Sequence, residues 1–436
     1  MLQLSPSDAV AHSEPSALAD APQPRVALFV HDLADSGTTK RVEQFLEEGC
    51  AVHVLGFRRF RYNLDRVPPW PHVTLGHTSD GRYWQRIAAM TAALRVLYRN
   101  WNRLRETDVL YARNIDQLLL ALAADGLFRL RKTIVYEVLD VQPIMARRGA
   151  LPRFLRTVER LCLSRIGLLV VSSPAFHRFY YDPVQHYAGP WYLLENKLRN
   201  SAAALLECPR PNQGSDDTWR RGYRWVVAYY GLIRGQATFD LIVRLAERLR
   251  DTVLFKFRGI LTTVDKSSFR AALRRLPNLV YEGTYAIPRD LPELYGSTDF
   301  VWALDLENVD SNSRWLLPCR FYEAGLFGVP CLAVKGFEVG DMVERLDVGW
   351  TFAPPFEDAI AEFLETLSIS RYDSVRRKLL ALPRSTFLQG EDIGELCRAM
   401  LPGQSVAGGQ TGEPRCGGTA MPFPADGAPR PGARAR

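Results

Sequence analysis

The chain offers no cysteine framework. Its seven cysteines, at positions 50, 162, 208, 319, 331, 397 and 416, are odd in number and widely scattered, with no C-x-x-C pair and no histidine at ligand spacing. That excludes a disulfide scaffold and a zinc module, and favours reduced thiols in a cytosolic protein. Long apolar runs are absent as well: no window approaches the roughly 18 residues of a membrane span. The opening residues, MLQLSPSDAVAHSEPSALADAPQP, lack the basic region and apolar block of a secretory signal. The chain is therefore expected in the cytoplasm, touching a membrane only from outside. Neither half opens on a Walker loop or a G-x-G-x-x-G fingerprint. No helix-turn-helix, zinc module or aromatic strand motif supports nucleic acid as a partner.

What is present is size and a basic surface. The chain has 436 residues, 47% of them hydrophobic, and a formal net charge of +7, which suits anionic partners such as phosphates or an anionic membrane. Short apolar runs alternate with amphipathic stretches twice over, the signature of two parallel-sheet α/β units. In the first half the candidate strands are VALFV (26–30), AVHVLGF (51–57), DVLYA (108–112), TIVYEV (133–138), GLLVVS (167–172) and WYLL (191–194). The second half restarts with WVVAYYG (225–231) and continues through VLFKF (253–257), LVYEG (279–283), DFVWAL (299–304), PCLAV (330–334) and GWTFA (349–353). The pattern predicts a disordered tail over 1–24, an N-terminal Rossmann-like domain over 25–199, a linker over 200–224, a C-terminal Rossmann-like domain over 225–402 and a disordered tail over 403–436. The last helix is free to pack back on the first domain. Two such domains face each other across a cleft, a natural place for a two-substrate reaction.

Ligands of open α/β sheets bind at the carboxyl ends of the strands, where helix N-termini offer unpaired N–H groups. Four segments fall there. The stretch SNSRWLLPCRFYEAGLFGVPC (311–331) follows DFVWAL and reads as a loop and helix start carrying Arg320, Tyr322 and Glu323, stopped by Gly328-Val329-Pro330. In YYGLIRGQATFD (229–240), Gly231 and Gly235 shape a strand-to-helix turn, and the Arg234 guanidinium could hold a diphosphate. In HDLADSGTTKRVEQF (31–45), Ser36, Gly37 and Thr38 stand at a helix start, either as N-caps or facing an acceptor. The segment VYEVLDVQP (135–143) brings Glu137 and Asp140 to the cleft edge, where Asp140, or less favourably Glu137, would act as general base. Either acid could instead cap a turn or pair with Arg147 or Arg148. Finally, RYWQRIAAMTAALRVLYRNWNRLR (82–105) has six arginines and no acid. It reads as a basic amphipathic helix whose Trp84, Arg95, Arg99 and Trp101 would touch a membrane surface, or else as a core helix with solvated arginines. A second basic region, ARRGALPRFLR (146–156), lies in the same domain.

Taken together, these segments resemble the GT-B glycosyltransferases, in the group-one or family-four-like branch that builds bacterial exopolysaccharides of the succinoglycan and xanthan type. The resemblance spans roughly 25–400 and rests on the pieces above with VVSSPAFHRFY (170–180), LLENKL (193–198) and YEGTYAIPRDLPELYGSTDFVWAL (281–304). It implies a nucleotide-diphosphate sugar, UDP-linked before GDP-linked, held mainly by the second domain. The implied acceptor is a saccharide on a polyprenyl diphosphate at the inner face of the cytoplasmic membrane, bound by the first domain. It assigns Glu323 to the ribose hydroxyls, Arg234 to the diphosphate, and Asn312, Ser313 and Arg320 to the sugar or phosphates. It implies no cofactor and no metal, and no Asp-x-Asp motif stands in a suitable loop. Two positions depart from the family: Trp315 stands eight residues before Glu323 where retaining members carry Glu, and Gln236 stands where a second basic residue is usual. The expectation is an inverting, single-displacement transfer with Asp140 as base, unless Asp305, Glu307 or Asp310 supplies a displaced acid. A sugar-nucleotide epimerase and a non-catalytic nucleotide-binding protein of the same architecture are the alternatives.

Overall fold

The computed structural model describes residues 23–59, 67–78, 83–208 and 218–401; the two tails and the middle of the expected linker lie outside them. Strands β1 (Arg25–Val30), β2 (Ala51–Arg59), β3 (His72–Thr78), β4 (Val109–Arg113), β5 (Thr133–Val138), β6 (Leu168–Val171) and β7 (Trp191–Leu193) form one sheet in the order β3-β2-β1-β4-β5-β6-β7. Strands β8 (Trp225–Ile233), β9 (Val253–Leu261), β10 (Leu279–Tyr281), β11 (Phe300–Trp302), β12 (Cys331–Val334) and β13 (Gly349–Phe352) form the second, in the order β10-β9-β8-β11-β12-β13. Every pairing is parallel. Both sheets thus reverse direction next to their first strand, which opens a crevice at the carboxyl ends of β1 and β4 and again at those of β8 and β11. Each predicted strand is present. β3 is the addition: HVTLGHT is half polar and sits at the sheet edge, so it lacks the continuous apolar signature of the interior strands.

Helices cover both faces of the first sheet. On one face, Ala93, Leu97, Leu104, Leu118, Ala121, Cys162 and Leu163 pack with Phe29 and Ala112 in one core. These residues come from the helices Tyr83–Arg99, Trp101–Glu106, Ile115–Phe128 and Ala150–Leu163. On the other, Val42 and Phe45 of the helix Ser36–Glu47 share a core with Ile393, Leu396, Cys397 and Met400. The latter belong to the final helix, Asp392–Met400, which has crossed back from the second domain. Cys397 Sγ there lies 3.3 Å from Cys50 Sγ.

The domains are clasped by specific bonds. Val141 N donates to Asn312 Oδ1 at 2.9 Å, Asn196 Nδ2 to the Leu317 carbonyl at 3.0 Å, and the Tyr322 hydroxyl to Glu195 Oε1 at 3.1 Å. Among the described residues no helix is long and apolar enough to cross a membrane.

Candidate active site

β5 carries its chemistry past the sheet edge. Glu137, its penultimate residue, is 2% exposed and held between two buried arginines. Arg41 of the helix Ser36–Glu47 reaches Glu137 Oε1 at 2.7 Å and Oε2 at 3.2 Å, and Arg113 at the end of β4 reaches Oε2 at 2.8 Å. Burial alone would raise this carboxyl, but Arg113 and Arg41 outweigh it and hold it at about 2. A carboxylate that is saturated and this weakly basic is unsuited to remove a hydroxyl proton; the role expected of Glu137 as an alternative base is corrected to that of a structural anion.

Three residues on, Asp140 has the opposite setting. Its side chain opens on the cleft, with both domains crowding it. Asp140 is exposed on the cleft, but the protein crowded around it from both domains displaces water and pushes the carboxyl up to about 6; Arg234 across the cleft opposes the rise and Asp305 reinforces it. Solvent in the cleft screens part of this field, which leaves a carboxylate poised nearer neutrality than an ordinary aspartate. Asp140 also lines a small cavity with Asn114, Tyr136, Glu159 and Tyr180. Glu159 also lines it, and among the described residues no cation is paired with it: Oε2 accepts from the Tyr180 hydroxyl and Gln185 Nε2, each at 2.6 Å, and Oε1 from Tyr181 at 3.2 Å and Tyr136 at 3.3 Å. Sequence reading did not single out Glu159; a lone acid in an amphipathic helix carries no signal of its partners.

The start of the first helix differs from expectation. Asp35, not Ser36 or a threonine, is its N-cap and accepts from Thr38 N at 3.0 Å. Ser36 is exposed, Gly37 is half-buried against Arg113, and Thr38 is fully buried with its hydroxyl 3.5 Å from Arg113 Nη1. Only Ser36 and Gly37 therefore present themselves to a ligand. Lys40, one turn on, was not anticipated. Its Nζ donates to the Asn196 carbonyl at 2.9 Å, and its charge is felt by Cys319 and Glu323 of the facing domain.

On the second domain, Arg234 leaves β8 just before the helix Gln236–Arg248. Asp305 holds its guanidinium, with Nη2 at 2.6 Å and Nε at 2.8 Å from Oδ2, while Glu307 lies at 3.7 Å. Asp305 and Glu307 are thereby committed to this cluster rather than offered as displaced nucleophiles. Arg320, in the helix Cys319–Leu326, stacks 4.5 Å over the Tyr229 ring and donates to the Trp302 carbonyl at 3.3 Å. Arg234 is shared by Asp305 and Glu307, while among the described residues no carboxylate pairs with Arg320, so the two guanidiniums keep N–H donors for a polyanion. Glu323, 6% exposed, accepts from the Tyr295 hydroxyl at 2.7 Å through Oε2. Burial raises its carboxyl, with that bond, Lys40 and Arg320 opposing.

Four other expected donor contacts are placed differently. Gly231 is not in the turn but inside β8, with φ +99°. Beside it in β9, a Cβ on Gly259 would lie 1.9 Å from the Gly231 carbonyl oxygen, so the glycine pair lets two strands pass closely. Asn312 spends its amide oxygen on Val141 N, Ser313 accepts from Asn308 N at 3.0 Å, and Tyr322 turns to Glu195. Through these bonds the three side chains clasp the domains or set the loop. Trp315 explains its own presence: buried, it stacks on Phe179 at 6.4 Å and meets Phe176 edge-on at 6.5 Å, while its carbonyl accepts from Ser173 Oγ at 2.5 Å. It plugs the first domain from the second.

Of the four expected membrane contacts, Arg95 and Arg99 are exposed, Trp101 is half-buried with Arg105 4.9 Å over its ring, and the side chain of Trp84 lies outside the described residues.

No protein-family model matches the chain. The succinoglycan biosynthesis protein ExoL of Rhizobium meliloti (strain 1021) is 30% identical over 384 residues, which cover 86% of this chain and 93% of that protein. Among solved structures, Anabaena HepE in complex with UDP and glucose superposes with a TM-score of 0.61 at 14% identity, covering 86% of this chain and 98% of that one. The lipopolysaccharide outer core galactosyltransferase WaaB, in its apo form, gives 0.55 at 11% identity, covering 86% and 99%. Two parallel Rossmann-like sheets joined by a returning C-terminal helix are thus the GT-B architecture of glycosyltransferases, and the chain belongs to the family of the succinoglycan biosynthesis protein ExoL.

Proposed function

We propose that this protein is an inverting glycosyltransferase of exopolysaccharide assembly. It moves a sugar from a nucleotide diphosphate, UDP before GDP, to a hydroxyl of a lipid-linked saccharide at the inner face of the cytoplasmic membrane. The observation that carries the reading is Asp140 standing across the cleft from Arg234, with Glu323 buried behind. The acceptor hydroxyl enters the cavity beside Asp140 and attacks the anomeric carbon of the donor. Its proton passes to the Asp140 carboxylate as the bond to the diphosphate oxygen breaks. The departing electron pair resides on the nucleotide diphosphate, beside Arg234 and Arg320, where fixed cations are worth most. Glu323 receives the ribose hydroxyls on the oxygen that Tyr295 leaves unused. The similarity to ExoL, whose name places it in succinoglycan biosynthesis, and to HepE, solved with UDP and glucose, supports the donor and process.

Support for inversion comes from Trp315. Double displacement needs a nucleophilic side chain on the donor, and where the family resemblance would put a Glu, eight residues before Glu323, stands Trp315, an indole packed between Phe176 and Phe179. Labelled UDP-sugars incubated with polyprenyl-diphosphate saccharide acceptors are the test. Transferred sugar of inverted anomeric configuration is expected; interconverted donor, or binding with no turnover, would overturn the assignment.

A further inference from the structure

The helix Ala150–Leu163 is apolar on two faces, and only one is spent. Inward, Pro152, Cys162 and Leu163 are buried on the first domain. Outward, Leu151, Phe154 and Leu161 are 57%, 63% and 66% exposed. Their spacing of three and then seven residues places them on one stripe. Arg147, Arg153, Arg160 and Arg165 are exposed around that stripe, Arg160 with Nε on the Gln185 carbonyl and Nη2 on that of Val184, and among the described residues no carboxylate forms an ion pair with any of the four. From Val141 to Arg165 the only acid is Glu159, which is buried. The adjoining helix Ile115–Phe128, on the same face of the sheet, adds Leu127 at 65% exposure.

We infer that the outward face of the helix Ala150–Leu163 is a docking surface for an anionic lipid bilayer, and that it, rather than the more basic 82–105 stretch, supplies the apolar anchor. Large apolar side chains ringed by arginines match the two parts of such a surface: acyl chains below, phosphate headgroups at the rim. A second copy of the chain is the poorer occupant, because a two-fold contact would set each arginine cluster against its equivalent. The geometry also ties docking to the cleft. Arg156 Nη1 donates to the Met145 and Arg147 carbonyls at 2.7 and 2.8 Å, so the start of the helix is fastened to the segment that follows Asp140. A bilayer under Leu151 and Phe154 would lie beside the acceptor side of the cleft. The purpose of this surface rests on the proposed lipid-linked acceptor; its existence does not, and the test is read without substrate.

The full chain is sedimented with vesicles of phosphatidylcholine alone and of phosphatidylcholine mixed with phosphatidylglycerol. Binding to the mixed vesicles only is expected, weakening as salt is raised. Leu151→Ser/Phe154→Ser/Leu161→Ser should lower partitioning by about tenfold or more, and Arg147→Gln/Arg153→Gln/Arg165→Gln by a similar factor, both with unchanged melting. Arg95→Gln/Arg99→Gln should stay within about twofold of the parent. The inference is overturned if the parent ignores anionic vesicles, if the triple serine variant binds like the parent, or if the loss follows Arg95 and Arg99. It is equally overturned if the serine variant turns a dimer into a monomer without changing vesicle binding. Vesicle binding by a parent that transfers no sugar would sink the proposed reaction and leave the surface standing.

Discussion

The two sheets bring the same topological edge to the cleft and finish it in opposite ways. At the edge of the first, Glu137 is shared by Arg41 and Arg113 beneath the surface, while among the described residues no cation is directly bound to Asp140 in the cleft. At the edge of the second, two guanidiniums are fixed in place, Arg234 by Asp305 and Glu307 and Arg320 over a tyrosine ring. The difference assigns roles. One edge offers a carboxylate with raised proton affinity, the other a field for a leaving diphosphate, and a transfer needs one of each. Within the first edge the same lesson repeats at closer range: two acids three residues apart are driven to about 2 and about 6 by their surroundings, and such a separation divides structural from chemical roles.

The largest effect should come from removing the base. Asp140→Asn should lower the transfer rate by about 10²–10⁴-fold while UDP still binds and the melting temperature holds. Because the working form is the carboxylate, the parent's rate should fall as pH drops through about 6. An acid limb unchanged in the Asn variant would move the base elsewhere, with His31 at the end of β1 the next residue to examine.

Glu137→Gln tests the other half of the contrast by stability. It strands two buried guanidiniums, and breaking a buried ion pair costs about 3–5 kcal/mol, read in urea unfolding. A carboxyl held at about 2 contributes stability that is present above the unfolded-state value near 4.5 and lost as pH falls through the folded one. The variant should therefore show a flatter stability profile in acid than the parent. An undiminished unfolding midpoint, paired with lost transfer, would return Glu137 to the chemistry.

Arg234→Gln addresses the facing edge. Loss of a fixed cation at the leaving group should cost about 10²–10³-fold in turnover. It carries a second signature, since Arg234 opposes the rise in the Asp140 carboxyl: the acid limb should shift to higher pH in the variant. A rate loss with the limb unmoved would mean that the two groups do not share a field and that the cleft works in a more open form.

Much of this was legible in the chain. Interior parallel strands announce themselves as apolar runs, so both sheets and the placement of Asp140, Arg234 and Glu323 at their carboxyl edges follow from pattern and topology. What pattern could not carry is where a side chain spends its bonds. Asn312, Ser313 and Tyr322 lie in the expected segment and turn to Val141, Asn308 and Glu195. Asp35 rather than Ser36 caps the first helix because any of several polar residues there fits the same cap. The basic stretch at 82–105 was conspicuous by composition, yet among the described residues it exposes Tyr98 alone of its large apolar side chains, while Leu151, Phe154 and Leu161 form a stripe on the helix Ala150–Leu163, because tertiary packing decides which of two amphipathic faces is covered.

The smallest expected effect concerns Lys40, where the two edges meet. Gln236 follows Arg234 and Gly235 where the family resemblance implies a second basic residue, so the donor loop is one cation short of that expectation. Lys40 approaches from the first domain. It is anchored to the Asn196 carbonyl, and Asn196 in turn holds the Leu317 carbonyl just ahead of the helix Cys319–Leu326. Its field reaches Glu323 and Cys319, while burial lowers its own proton affinity. A charge borrowed across a closing cleft acts on binding more than on chemistry, since it is present only when the domains are together. Lys40→Met should therefore raise KM for the nucleotide-sugar by up to about tenfold, about 1.4 kcal/mol, with kcat little changed. If kcat fell and the donor KM did not, Lys40 would belong with Asp140 on the acceptor's side.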